Sequence, residues 1–175
     1  MKILGLLRHA KSEWDDLAMR DFDRTINERG RRGSEVMRRH IARHGIEWGA
    51  LVASPAARVV ETVEISLPDH TPIYDRRLYL ASADTIIETV QEHGGGADAV
   101  MVSGHNPGLQ DTLLELVSPA RENDLFKEAC VKFPTATLAV LECRIDHWTE
   151  LRKHVGEMIE FTRPRDLDPA LAPPE

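Results

Sequence analysis

Arginine and histidine residues recur just after apolar stretches of this sequence, and both side chains bind or transfer charged groups. The stretch KILGLLRHAKSEWDD places Arg8 and His9 directly after an apolar run. Further along, Arg58 follows ALVAS within SPAARVVE, and His105 follows DAVMV within VSGHNPGL. Arginine presents a fork of N–H donors that fits a phosphoryl group, and a neutral histidine can attack phosphorus. These residue types together indicate phosphoryl chemistry.

The elements that must position these residues are strands of one sheet. The carboxyl ends of parallel strands lie at the same edge of an open α/β sheet, where ligands bind. Polar residues follow the first, second and fourth predicted strands: Arg8 and His9, Ser54 and Arg58, and Ser103, His105 and Asn106. Because arginine is almost never buried unpaired, two arginines and two histidines at one edge favour a binding site over a structural role. With the N–H groups of the following helices, this set predicts a site for a phosphoryl dianion.

Either His9 or His105 is the nucleophile by this reasoning, because the sequence shows no metal-binding motif and no cysteine-based anion loop. His9 is expected at an exposed strand end, outside the core. The arginine-rich surroundings are expected to disfavour its protonation. Ser12, in the loop after the first strand, and Asn106 complete the predicted phosphate-binding set. No cofactor and no metal ion is predicted.

Composition limits the class of protein. The 175 residues are about the length of one domain. The net charge of -7 and the pI of about 5.6 argue against nucleic-acid binding by bulk electrostatics. No apolar run approaches the roughly 18 residues of a membrane helix, and we expect a cytoplasmic protein that does not bind membranes. Cys130 and Cys143 are predicted to be reduced structural thiols, and the oligomeric state stays open.

Strand and helix patterns alternate along most of the chain and predict an α/β fold. The expected architecture is a three-layer sandwich: a mostly parallel sheet with helices on both faces and a C-terminal antiparallel hairpin within TATLAVLECRIDHWTELRKH. Helix starts are predicted at a capping box that begins with Thr25, at Ser54 and at Ser82. Residues 1–160 are expected to form a single domain, and residues 161–175 an extended C-terminal tail.

The sequence resembles the histidine phosphatase superfamily, in particular its short SixA-type phosphohistidine phosphatase branch. The segments that carry the resemblance span nearly the full length: LLRHAKSEWDD, DFDRTINERGRRG, SPAARVVETVE, RRLYLAS, VSGHNPGL and KFPTATLAVLE. The resemblance implies a phosphoglycerate mutase-like fold and a phosphatase that needs no metal or organic cofactor. It also implies that His9 is phosphorylated during turnover and that Arg8 and Arg58 bind the phosphoryl group. His105 would complete the pocket as a charged or hydrogen-bonding partner.

Two positions depart from the larger members of the superfamily. Ala10 stands where those members carry Gly, and Asp15 stands near the place of an Asn, so mutase-type substrate contacts are not expected. Asp21 and Asp23 are candidates for the acid that protonates the leaving group, and each can equally serve as an Asp–Arg tether. The expected partner is a phosphorylated protein bearing phosphohistidine. The alternatives are a phosphomonoesterase for sugar or nucleotide phosphates and a noncatalytic phosphate-binding signalling module.

The first long helix carries two further features. His40 and His44 are one helical turn apart, which is a spacing found in zinc sites, but the order of residues along the chain offers no third ligand. No metal site is therefore predicted there. The same helix carries arginines that are expected to form a solvated face paired with acids, the alternative being a docking surface for an acidic partner: Arg29, Arg31, Arg32, Arg38, Arg39 and Arg43.

Overall fold

The computed structural model describes residues 1–173, in which six strands form a single sheet between two helical layers. The strands are Lys2–Arg8 (β1), Ala50–Ala53 (β2), Ile73–Tyr74 (β3), Ala99–Gly104 (β4), Leu138–Cys143 (β5) and Gly156–Thr162 (β6). The α-helices are Glu28–Arg43 (α1), Ala57–Ser66 (α2), Ala83–His93 (α3), Gly108–Leu116 (α4), Asp124–Val131 (α5) and Pro164–Leu167 (α6). The predicted α/β class is confirmed.

The strand order places the first strand near the middle of the sheet. The order is β3-β2-β4-β1-β5-β6. The four strands β1, β2, β3 and β4 are parallel to one another, β5 is antiparallel to β1, and β6 is antiparallel to β5. A central strand that is covered on both faces needs a nearly continuous apolar run, which β1 has. Arg8, its last residue, pairs with Gly104 at the end of β4. This register brings the residues that follow β1 and β4 together at one edge of the sheet.

The side chains of β1 alternate between two cores, as the period of a strand requires. Leu7 packs with residues of α1 and α2, such as Met37 and Val59. Leu6 packs on the opposite face with residues of α3, α4 and α5, such as Leu113. Both leucines are fully buried. The helices therefore cover both faces of the sheet, and the predicted three-layer sandwich is confirmed.

Two of the predicted helix starts differ from those observed. The side chain of Asn27 caps α1, because Thr25 lies in an extended segment whose carbonyl accepts the N–H of Glu13. The second helix, α2, begins after Ala56 instead of Ser54. The third prediction is confirmed, since the Ser82 hydroxyl accepts a backbone N–H of the first turn of α3.

The C-terminal hairpin exists, but its second strand lies later in the chain than predicted. β6 is formed by Gly156–Thr162, and residues 144–155 form the connection. In this connection the side chain of Trp148 is buried, and its Nε1 donates a hydrogen bond to the carbonyl oxygen of Ala97 at 2.7 Å. Burying this large ring draws residues around it into a loop, which is why they do not continue the strand.

The segment after residue 160 is folded where an extended tail was predicted. β6 continues to Thr162, and α6 and a 3₁₀ turn follow. Asp168 pairs with Arg32 of α1 at 2.7 Å, and Arg29 donates a hydrogen bond to the carbonyl oxygen of Ala172. These long-range contacts hold the segment against α1, so part of the arginine face is paired as predicted. Residues 174–175 of the predicted tail lie outside the described residues, and the division at residue 160 stays a prediction.

Within residues 1–173, no helix combines the length and the apolar character needed to cross a membrane. The two cysteines are free thiols, as predicted. Cys130 is exposed, whereas Cys143 is completely buried in β5. Burial raises the pKa of the Cys143 thiol to about 12, so this side chain packs as a small apolar residue.

Candidate active site

The ends of β1 and β4 bring two histidines together. The backbone N–H of His9 donates to the carbonyl oxygen of Gly104 at 3.0 Å, and His105 follows directly. The centroids of the two imidazole rings are 5.4 Å apart. His9 is only 7% exposed, so the expectation of an exposed strand end was wrong. Loops and helix starts around the sheet edge cover the ring, and the local sequence of β1 does not show that they do.

A short hydrogen bond determines which nitrogen of His9 carries its proton. Nδ1 of His9 lies 2.7 Å from the carbonyl oxygen of Ala10. Because a carbonyl oxygen only accepts, Nδ1 holds the proton and donates it, which leaves the lone pair on Nε2. Ala10 is itself held, since its N–H donates to Oγ1 of Thr62 at 2.8 Å. The ring is therefore fixed in the tautomer that a nucleophile needs.

The surroundings of His9 keep its ring uncharged. Burial, together with the positive charges of Arg8 and Arg58, lowers the pKa of His9 from 6.5 to about 4. The direction is the one predicted from the arginines, although burial is the larger cause. At neutral pH the lone pair on Nε2 is consequently available.

Arg58, in the first turn of α2, connects Asp21 to His105. Its Nη1 donates to the backbone oxygen of Asp21 at 2.7 Å, and its Nη2 lies 3.0 Å from Oδ2 of Asp21 and 3.3 Å from Nδ1 of His105. Because arginine only donates, Nδ1 of His105 is an acceptor and the ring proton is on Nε2. That nitrogen lies 2.8 Å from Oγ of Ser54.

His105 is therefore an uncharged, hydrogen-bonding member of the site. Burial, and after it the charge of Arg58, lowers the pKa of His105 to about 3. Of the two roles that the family resemblance left open for His105, this geometry favours the hydrogen-bonding one. Oγ of Ser54 also accepts the N–H of Ala56 at 3.3 Å, one residue before α2 begins, and does not cap that helix.

Arg8 has a charge that no carboxylate of the described residues neutralises by a direct ion pair. Its Nη1 donates to the carbonyl oxygen of Phe133 at 2.8 Å, and its buried Nε has no hydrogen-bond partner within residues 1–173. Burial and the nearby charge of Arg58 lower the pKa of Arg8. The half-buried Arg8 and the buried Arg58 carry like charges that an anion between them stabilises, so this arrangement favours the binding of a phosphoryl dianion.

Asp21 and Asp23 have different surroundings in the 3₁₀ turn that precedes α1. Oδ2 of Asp21 accepts hydrogen bonds from Arg58 and from the hydroxyl of Tyr79. Partial burial opposes ionisation, but these hydrogen bonds hold the pKa of Asp21 below its usual range. Asp23 pairs with Arg20 on the surface at 2.8 Å. Both carboxylates act as tethers here, and Asp21 carries no proton to donate at neutral pH.

Ser12 and Asn106 hold backbone and neighbouring side chains in place. The hydroxyl of Ser12 accepts a hydrogen bond from Nε1 of Trp14 at 3.1 Å. The amide of Asn106 donates to the carbonyl oxygen of Phe133 at 3.3 Å and accepts the N–H of Gln110 at 3.2 Å. Their phosphate-binding roles stay predictions. These contacts position the loop that follows His9 and the start of α4.

Tyr79 belongs to the site, although its sequence context did not indicate this. Its ring centroid lies 5.4 Å from that of His105, with the two planes nearly perpendicular, and its hydroxyl reaches Asp21. The segment RRLYLAS contributes to the family resemblance, but nothing in its local pattern connects a tyrosine to residue 21 or residue 105. Only the packing of the turn after β3 against the sheet edge brings these groups together.

A basic cavity of about 320 Å³ adjoins the site at Arg8. Its wall is formed by the loop before β5, the start of α1 and the folded C-terminal segment. The basic residues of the lining are Arg8, Lys11, Arg29, Lys132, Arg163 and Arg165. A cavity with this charge attracts acidic groups.

Comparison with known sequences identifies relatives over most of the chain. The family model of the histidine phosphatase superfamily (branch 1) matches residues 4–79, which include Arg8, His9 and Arg58. The uncharacterised protein ML1117 of Mycobacterium leprae is 28% identical over 164 residues, covering 91% of this chain and 100% of that protein. The uncharacterised protein Rv1276c of Mycobacterium tuberculosis is 29% identical over 160 residues, with the same shares covered.

Solved structures extend the match to the whole fold. A protein assigned as the phosphohistidine phosphatase SixA of Agrobacterium tumefaciens has a TM-score of 0.74 and 29% identity, covering 93% of this chain and 99% of that chain. Its counterpart from Nakamurella multipartitia has a TM-score of 0.82 and 26% identity, covering 93% and 96%. The fold, the four residues at the sheet edge and these similarities agree. The chain thus matches the histidine phosphatase superfamily over residues 4–79, and its fold is similar to that of SixA-type phosphohistidine phosphatases.

Proposed function

We propose that this phosphatase works without a metal ion through a covalent phosphohistidine on His9, and that its substrate is phosphohistidine on a protein. The observation that carries the proposal is the state of the His9 ring. Nδ1 donates to Ala10, and burial keeps the ring uncharged, so Nε2 presents its lone pair beside two arginines. A buried neutral imidazole next to fixed positive charges suits attack on a phosphoryl dianion.

In the first step, Nε2 of His9 attacks phosphorus. A nitrogen–phosphorus bond forms on the enzyme, and the bond to the leaving atom breaks with its electron pair going to that atom. When the leaving group is a phosphohistidine ring whose other nitrogen carries a proton, it departs as neutral imidazole. It needs no carboxylic acid from the enzyme. A reaction that needs no acid from the enzyme is consistent with Asp21, whose carboxylate is ionised and held by Arg58.

Arg8 and Arg58 supply the positive charge that the transferring group requires. Guanidinium groups held in advance stabilise the charge on the equatorial oxygens without having to reorganise. In the second step, water attacks the phosphorus on His9, the nitrogen–phosphorus bond breaks and its electron pair returns to Nε2. The oxygen and both protons of the water leave in H₂PO₄⁻. In this proposal the water is held near His105, whose ring centroid lies 5.4 Å from that of His9.

The surface beside the site supports a protein substrate. The basic cavity at Arg8 offers binding to acidic groups around the phosphorylated residue, beyond the phosphoryl group itself. A phosphoprotein presents such groups on its surface. We keep the cytoplasm as the expected compartment.

The test compares kcat/KM on a protein carrying phosphohistidine with kcat/KM on a panel of sugar and nucleotide phosphates. We expect the phosphohistidine protein to be the better substrate, and the His9→Ala variant to be inactive on both. A small phosphate as the better substrate would favour the phosphomonoesterase alternative. Phosphate binding without turnover of any substrate would favour the signalling module. A pull-down with His9→Ala, which binds substrate without turning it over, identifies the partner.

A further inference from the structure

Outside the phosphatase site, three side chains with metal-binding atoms meet between α1 and β6. His40 lies in the last turn of α1, His44 follows at the C-terminal cap of that helix, and Glu160 lies in β6. Their candidate ligand atoms all lie within 4.8 Å of one another. Oε2 of Glu160 lies 2.9 Å from Nε2 of His40, and its other oxygen contacts Nε2 of His44. We propose that these three side chains bind one Zn²⁺ ion.

The ligand types and their spacing suit zinc. Imidazole nitrogen and carboxylate oxygen are both common zinc ligands. Residues four apart on a helix lie on the same face, and the ring centroids of His40 and His44 are 5.3 Å apart. Nε2 of His40 faces one carboxylate oxygen of Glu160 and Nε2 of His44 faces the other, which brings one candidate ligand atom of each residue within 4.8 Å of the other two. Three protein ligands leave one position of a tetrahedral site for water or another small ligand.

The burial of the cluster fits a site with one open position. The side chains of His40, His44 and Glu160 are 21%, 16% and 16% exposed. The protein therefore shields most of each ligand while solvent still reaches the cluster. The hydroxyl of Thr162 donates to Oε2 of Glu160 at 3.1 Å, which supplies the kind of outer contact that orients a ligating carboxylate.

The sequence could not show this site because its third ligand is distant along the chain. Glu160 follows His44 by 116 residues. The antiparallel pairing of β6 with β5 places Glu160 opposite Val140, at the edge of the sheet that α1 covers.

The proposed ion connects a helix to an edge strand and lies apart from the phosphatase site. β6 is separated by β5 from β1, the strand that His9 follows. Glu160 pairs with Val140, which pairs with Gly5, four residues before His9. A zinc ion bound here stabilises the folded chain by mass action and takes no part in phosphoryl transfer.

Metal content and calorimetry test the proposal. The protein is prepared without a histidine tag, which would itself bind zinc, and is stripped with a chelator that is then removed by dialysis. We expect titration with Zn²⁺ to show one tight site per chain, and mass spectrometry to find one zinc per chain after dialysis. His44→Gln and Glu160→Gln are expected to weaken binding at least tenfold. The matched control is His93→Gln, which changes a histidine paired with Asp75 and leaves the cluster intact.

Two further readouts separate zinc binding from an effect on folding. Co²⁺ bound to the wild-type protein is expected to give the intense visible absorption of a tetrahedral site, which requires no variant. Zn²⁺ is expected to raise the Tm of the wild type and leave that of Glu160→Gln unchanged, while both keep the same phosphatase rate. Absence of a one-to-one site, an octahedral Co²⁺ spectrum, or equal Zn²⁺ binding by wild type and both variants would overturn the proposal. Each of these results would mean that the cluster is held by hydrogen bonds alone.

Discussion

Arg58 donates a hydrogen bond from Nη2 to Nδ1 of His105, with 3.3 Å between the two nitrogens. The same guanidinium is anchored on Asp21 through both its terminal nitrogens. One side chain therefore fixes the tautomer of a histidine and places a positive charge where the phosphoryl group is expected. Changing Arg58 removes both effects together.

Arg58→Ala is expected to lower kcat/KM about a hundredfold, which corresponds to about 3 kcal/mol of transition-state stabilisation. Inhibition by vanadate, a phosphate analogue, should weaken in parallel because the same charge holds both anions. The control is Arg77→Ala, which removes a surface arginine paired with Asp75 and Glu92. An unchanged rate with unchanged vanadate inhibition in Arg58→Ala would show that this side chain does not face the reacting group.

His9→Ala is expected to reduce turnover to below about a thousandth of the wild-type rate, because the proposed nucleophile is lost. Rapid quenching of the wild type with labelled substrate should trap an acid-labile, alkali-stable phosphoenzyme that the variant lacks. Circular dichroism checks that the variant is folded, which matters because His9 is buried. Labelling that persists in His9→Ala would assign the nucleophile to another residue.

The rate is expected to hold at mildly acid pH and to fall as the pH drops through about 4. His9 must be uncharged to attack, and burial lowers its pKa to about 4, so protonation removes the lone pair only below that range. The measurement is kcat/KM between pH 7 and pH 3.5 on an acid-stable phosphomonoester, since phosphohistidine itself hydrolyses in acid. A midpoint near 6.5 would mean that the ring titrates as an exposed histidine does.

The pH profile needs a control for acid unfolding over the same pH range. The pKa values of His9 and His105 are lowered in the folded state, so the unfolded chain binds protons first as the pH falls below about 6.5. The contribution of these groups to stability is therefore complete above about pH 6.5 and decreases as the pH falls, towards about 4 for His9 and about 3 for His105. Circular dichroism at each pH shows whether a loss of rate precedes a loss of fold.

Chelation is expected to leave the phosphatase rate unchanged. In the proposed mechanism, Arg8 and Arg58 supply the charge stabilisation that a divalent cation provides in other phosphatases. The experiment measures kcat before and after treatment with EDTA, and again after adding back Mg²⁺ or Zn²⁺. A rate that EDTA abolishes and a metal restores would mean that the histidines at the sheet edge are ligands. The covalent mechanism would then be abandoned.

Gly30→Ala is expected to lower the free energy of unfolding by about 1–3 kcal/mol, the usual range for an overpacked site. A Cβ at this position in the first turn of α1 would lie 2.3 Å from the backbone oxygen of Lys11, in the loop that follows His9. The matched control is Gly96→Ala, whose added Cβ meets nothing within 4 Å. Denaturant unfolding compares the two variants. Equal stability of the two variants would show that the start of α1 is not closely packed against the loop that follows His9.

Much of the fold follows from local patterns. Apolar runs such as that of β1 and polar residues at their ends predicted strands, and the alternation with helices predicted the layers. The local patterns gave wrong predictions where the free energy of a long-range contact exceeded that of a local preference. Ser54 bonds His105 and does not cap α2, and the burial of Trp148 replaces a strand with a loop. A preference worth about a kilocalorie per mole is readily outweighed by such contacts.

The sequence by itself determined which residue types occupy the edge of the sheet, because each of Arg8, His9, Arg58 and His105 stands at the end of a recognisable strand or at the start of a helix. The tertiary structure alone decided their protonation and their partners. The tautomer of His105 depends on Arg58 and Ser54, and the cluster with Glu160 depends on the pairing of a distant strand. Charge state and coordination arise from distances between groups that meet only after folding. Such distances are set by packing and not by order along the chain.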